Sequence, residues 1–174
     1  MQLFNNETIR EGFTLMEAIV AIFVVTVGIV GVLSLVTQTI SSATISKDKL
    51  IAAYLAQEGI EIVRNIRDTN WVGGAASWDT GISYTSDYRL DYQSSGFPDT
   101  NCNLSVNNYL KYDGNYYNCS TGNETKFKRK ITISQPATPD CPAGDCLNVS
   151  ILVQWEEKGT IHSVAAQENL YNWH

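Results

Sequence analysis

From Phe13 to Val36 the chain reads "FTLMEAIVAIFVVTVGIVGVLSLV", almost unbroken apolar sequence with Glu17 as its one formal charge. Acidic and basic residues are then absent from Ala18 through Ser46. The most apolar stretch, Ala18 to Val36, would rise about 28 Å as a helix, close to the ~30 Å hydrocarbon core of a bilayer. An uninterrupted run of this length predicts a membrane-spanning helix. Farther on the pattern turns periodic. Ile51, Leu55, Gly59, Ile62 and Ile66 recur at helical spacing and draw one apolar stripe. Glu61 with Arg64, and Arg64 with Asp68, are favourable pairs for the wetter face. Asp68-Thr69-Asn70 marks the expected stop. One helix from Phe13 to Arg67 would be about 80 Å long, apolar in its first half and amphipathic in its second.

The period then changes to two. Phe127, Arg129, Ile131 and Ile133 alternate with Lys128, Lys130, Thr132 and Ser134. Leu147, Val149, Ile151, Val153 and Trp155 repeat the pattern, "EEKGT" reads as a turn, and Ile161 to Leu170 is a third strand. The short connections predict an antiparallel meander, and the stripe on the long helix can cover its apolar face. Residues 71–126 are rich in Gly, Ser, Asn, Asp and Tyr, which predicts an irregular region with a few short strands.

Composition sharpens this picture in two respects. The net charge is −6 and no dense basic cluster occurs, which argues against a nucleic-acid-binding module. The four cysteines, Cys102, Cys119, Cys141 and Cys146, all follow the apolar helix. An even number on one side of a membrane fits an oxidising exterior. Three pairings are open, and Cys102–Cys119 with Cys141–Cys146 is favoured because each closes a loop without crossing the other. Free thiols and a four-thiolate zinc site are the rivals, the latter without the usual CxxC spacing.

Enzyme chemistry finds little to stand on. The histidines are His162, on a predicted strand, and His174; no nucleophile elbow, His-Glu-x-x-His or phosphate-binding Gly loop occurs. Glu156 and Glu157 read as a solvated hairpin end. Neither a catalytic residue, a metal site nor a cofactor is expected. Asn-x-Ser/Thr sequences at Asn103, Asn118, Asn123 and Asn148 read as chance in so Asn-rich a chain.

The residues before the apolar run carry a more specific signal. A cleavable secretory signal would have a basic n-region and an apolar stretch of roughly 7–15 residues, whereas Glu7, Arg10 and Glu11 give a net charge of −1. The segment "REGFTLMEAIVAIF" instead resembles the prepilin leader junction of type IV pilins and type II secretion pseudopilins. The resemblance runs from about Arg10 to Leu35. It implies that a membrane prepilin peptidase cuts after Gly12 and N-methylates Phe13. It also implies that Glu17, fifth in the processed chain, pairs with the α-amine of a neighbouring subunit during assembly. Glu11 departs from the basic residue commoner before the Gly. A carboxylate that merely snorkels to the interface is the plain alternative for Glu17. Gly28 and Gly31, one turn apart and followed by Ser34, read either as a helix-packing strip or as ordinary membrane-helix glycines. The absence of Pro from this stretch resembles minor pilins more than major ones, and "LAQEGIEIVRNIRDTNW" is similar to pilin-like proteins of that subgroup.

The expected organisation is therefore a leader over 1–12 and a transmembrane or filament-core helix over 13–36. The amphipathic half of the helix follows over 37–68, then a loop-rich region over 69–126 and an antiparallel sheet over 127–174. The fold class is α+β and pilin-like. The expected function is a minor-pilin-like structural subunit of a type IV pilus or related filament, first in the cytoplasmic membrane with its head outside and then in the filament. Its partners would be other pilins, the peptidase, an inner-membrane assembly platform and lipid, with a surface or DNA as a ligand of the head. A type II secretion pseudopilin is the alternative within the family. A static signal-anchored surface binding protein is the alternative from another class.

Overall fold

The computed structural model describes residues 12–84, 87–99, 102, 109–136 and 138–173. A single helix, α1 (Leu15–Val72), is followed by β1 (Asp87–Tyr88), β2 (Lys111–Tyr112), β3 (Tyr117–Asn118), β4 (Asn123–Glu124), β5 (Lys128–Ser134), β6 (Cys146–Glu157) and β7 (Thr160–Tyr171). This is the expected α+β arrangement of one long helix packed on antiparallel sheet. The chain divides into two compact units, Met1–Thr44 and Ile45–His174.

In the first unit, α1 is long and apolar enough to cross a membrane, and none of its most apolar window is buried. Side chains from Leu15 through Val36 stand exposed. Its hydroxyls turn inward on the helix instead. Thr26 donates to the Phe23 carbonyl (2.8 Å), Thr37 to Ser34 (2.9 Å) and Thr39 to Leu35 (2.8 Å). Such back-bonding satisfies the hydroxyl within its own helix.

In the second unit, the main sheet has the order β1-β5-β6-β7, all antiparallel. A smaller sheet, β3-β2-β4, is built from the loop-rich region. The meander over β5, β6 and β7 is as expected; the edge contributed by β1 was not, since two residues are too short to show a period. Lys158 (φ 52°) and Gly159 (φ 77°) form the two-residue turn between β6 and β7, with Glu157 opposite Thr160. Two successive left-handed residues match the twist of the paired strands, and Gly adopts that conformation without steric cost.

The core lies between the second half of α1 and one face of the main sheet. Ala52, Leu55, Ala56, Ile60, Ile62, Val63 and Ile66 of the helix meet Ile131, Ile133, Leu147, Val149, Ile151, Val153 and Trp155. The predicted stripe is buried, with Ile51 at its margin. Both predicted alternations hold as well, including Arg129, which is 2 % exposed. The Arg129 guanidinium donates to the carbonyls of Leu55 (3.0 Å) and Leu90 (2.6 Å) and lies 3.3 Å from Glu58. Burial lowers its pKa, and the Glu58 carboxylate opposes that shift.

Three details differ from expectation. The helix begins at Leu15 rather than Phe13, because Thr14 caps it. It ends at Val72 rather than near Asp68, because the Asn70 amide donates to the Trp78 and Thr80 carbonyls and does not interrupt the helix. Gly73 and Gly74, the latter at φ 65°, make the stop. Asp68 pairs with Arg67 (2.8 Å), while Arg64 pairs with Glu61 as expected and also with Glu168 on β7.

Candidate functional site

Gly12 and Phe13 precede the first turn of α1. A Cβ at Gly12 would meet nothing within 4 Å, and Phe13 is exposed. Thr14 is the N-cap: its Oγ1 accepts from the Glu17 N–H at 3.3 Å, and its carbonyl accepts from the N–H groups of Glu17 (3.1 Å) and Ala18 (3.2 Å). Glu17 therefore occupies the third helical position, where a carboxylate faces the positive end of the helix dipole. Thr14-x-x-Glu17 is a capping-box spacing, a signal that was present in the sequence beside the leader pattern. Residues 1–11 lie outside the described residues.

Gly28 and Gly31 lie on open helix surface, with nothing within 4 Å of an added Cβ at either. Gly28 lines a shallow apolar groove with Val25, Ile29, Val32 and Leu33. Missing side chains at this spacing let a second helix approach the backbone closely.

In the second unit, sequence reasoning missed a polar clasp. Asp48 of α1 is 1 % exposed. Lys126 donates to its carboxylate and, at 2.8 Å, to Glu157 at the end of β6. Burial would depress the Lys126 ammonium, but its hydrogen bonds to Asp48 and Glu157 outweigh this and raise its pKa. The hydrogen bond from Lys126 holds the Glu157 carboxylate below its usual range. Asp48 stands 78 residues from its partner, so no local pattern reveals the pair.

The cysteines pair as Cys102–Cys119 and Cys141–Cys146, with Cα–Cα separations of 5.2 and 5.0 Å. His162 on β7 stacks on Trp155 with ring centroids 5.4 Å apart; His174 lies outside the described residues, as does Asn103. Asn118 is buried, its side-chain oxygen accepting from the N–H groups of Ser120 (3.0 Å) and Thr121 (2.7 Å). That is a turn-forming role and no place for a glycan. Comparison with protein-family models, with curated proteins and with solved structures finds no match to this chain.

Proposed function

We propose that this chain is a pilin-like structural subunit, inserted in the membrane as a precursor, trimmed after Gly12 and assembled into a filament through the apolar half of α1. The observation that carries the reading is the place of Glu17, a carboxylate in the first turn of a helix whose most apolar stretch is uncovered. A charge near a helix N-terminus gains about 0.3–1 kcal/mol from the dipole. At the centre of a span a charge costs about 2.5–3.5 kcal/mol on insertion scales, and less toward its ends. A partner charge on a neighbouring copy would relieve what remains of that cost when Glu17 is drawn into a helix bundle. Cleavage at Gly12 creates one, the α-amine of Phe13, and a neighbouring copy can offer it. Gly28 and Gly31 supply close approach between helices, and other pilins, the peptidase, an assembly platform and lipid are the implied partners.

Mass spectrometry of the mature chain tests the reading. The expected N-terminus is N-methylated Phe13, and a Gly12→Val variant should accumulate at full length in the membrane. A mature chain that retains residues 1–12 would instead favour a static anchored surface protein. A pseudopilin would share the processed terminus; incorporation into surface filaments rather than a secretion apparatus separates the two.

A further inference from the structure

Where α1 ends, the loop after Gly73 and the last residues of the chain enclose an open cleft of about 380 Å³. It is lined by Trp71 and Trp78, by Asn70 and Asn172, and by Ala75, Ala76 and Ser77. Its parts are held in place. Trp71 stacks on Trp173 with centroids 4.7 Å apart and planes 16° apart, while most of Trp173 remains exposed. The Trp78 indole N–H donates to the Gly144 carbonyl at 3.3 Å. The Asn70 amide nitrogen donates to Trp78 (3.0 Å) and Thr80 (2.8 Å), so its side-chain oxygen is the group that can accept from a ligand.

We propose that this cleft binds a neutral oligosaccharide. None of its lining residues is charged. Its Ser77 hydroxyl already donates to the Asp79 carboxylate, and no lysine or arginine is among its lining residues to pair with a phosphate or a carboxylate. An aromatic ring offers a flat, electron-rich face that attracts weakly positive C–H groups, and one face of a pyranose ring is made of them. The ring's hydroxyls both donate and accept hydrogen bonds, as carboxamides do. Indoles and carboxamides lining one cleft supply both kinds of contact, and the volume lies within the range of small-molecule sites. The inference stands on the cleft alone and applies equally to a filament subunit or an anchored surface protein.

The test uses the full chain in a detergent without a sugar headgroup. A panel of neutral di- to tetrasaccharides of glucose, galactose, mannose and their N-acetylated forms is titrated by saturation-transfer NMR, with sialyllactose and ATP as charged comparators. At least one neutral sugar should bind saturably with a Kd of about a millimolar or tighter. Asn172→Ala should weaken it by about three- to tenfold through a lost hydrogen bond. Trp78 also packs against the core, so Trp78→Ala risks the fold. Ala75→Trp sets a large ring at a lining position while keeping both indoles and both carboxamides, and it should abolish binding. Saturable neutral-sugar binding that Ala75→Trp removes supports the proposal. No binding across the panel, binding that Ala75→Trp leaves intact, or equal binding of ATP or sialyllactose overturns it.

Discussion

At Gly59, helix propensity and packing pull in opposite directions. Gly in a helix interior costs about 1 kcal/mol relative to Ala. Yet a Cβ there would lie 3.1 and 3.2 Å from two methyl carbons of Ile151 and 3.3 Å from the Arg129 side chain. The helix is pressed onto β6 at this point, and the missing side chain permits it. Gly59→Ala should change stability by about 1 kcal/mol or less, the gain in propensity offsetting the tight contact. Gly59→Leu cannot be relieved by a few tenths of an ångström and should lose about 1–3 kcal/mol. Denaturant melts of the full chain in detergent would show it; equal midpoints for Gly59→Leu and the parent would mean that the helix is not seated there. Sequence spacing put Gly59 on the buried stripe but did not show what it packs against. That depended on Ile151, 92 residues away. Position likewise assigned Arg129 to the inner face of β5. The two carbonyls that receive its guanidinium belong to α1 and to Leu90, and only folding brings them together.

Among the elements, α1 is tied to the sheet side by polar links as well as by its apolar stripe. Lys126 joins Asp48 to Glu157, and Arg64 joins Glu61 to Glu168. Glu157 has a lowered pKa in the folded chain. Its contribution is present above its unfolded value and is lost as pH falls through the lowered one. Lys126 has a raised pKa. Its contribution is complete below its unfolded value and is lost as pH rises through the raised one. The clasp should therefore be fully formed between these limits, with stability falling at both the acid and the alkaline ends. Lys126→Met leaves Asp48 buried without its cation and should cost about 3 kcal/mol near neutrality, the low end for a broken buried pair because Lys126 is partly solvated. Glu157→Gln should cost less than Lys126→Met, because Lys126 still neutralises the buried Asp48 carboxylate. Melts across pH would check both; Lys126→Met no worse than Glu157→Gln would remove the clasp from the account. Elements with a sustained period were legible: the helix, β5, β6 and β7. The non-crossing disulfides were legible for a related reason, since each closes a loop between neighbours in sequence. A few short strands were expected within 71–126, but their places, like the clasp, were not legible, because neither leaves a period.

For the molecule as a whole, the decisive question is whether Glu17 acts within its own helix or between copies. The proposed function gives this residue a second role beside the local one. As the third residue of α1 behind Thr14, it can complete a capping box. As a carboxylate on an otherwise uncharged span, it can pair with an amine released at Phe13 of a neighbour. Glu17→Ala removes both roles and does not tell them apart. Glu17→Gln does, because Gln also serves at the third position of a capping box while carrying no charge. Both variants should insert at least as readily as the parent, since each removes a charge from an apolar segment. Both should still be trimmed, because Gly12 and Phe13 are unchanged. Under the pairing account, both fail to enter filaments and accumulate in the membrane as processed subunits. Under a capping account, Glu17→Gln assembles like the parent and only Glu17→Ala is impaired. Glu17→Asp keeps the charge with a reach shorter by one methylene, so partial assembly is expected if pairing governs. Cell fractionation with immunoblotting of membrane and sheared-filament fractions reads all three variants at once. Normal filament entry by Glu17→Gln would show that the charge is dispensable and would leave Glu17 as a residue of its own helix.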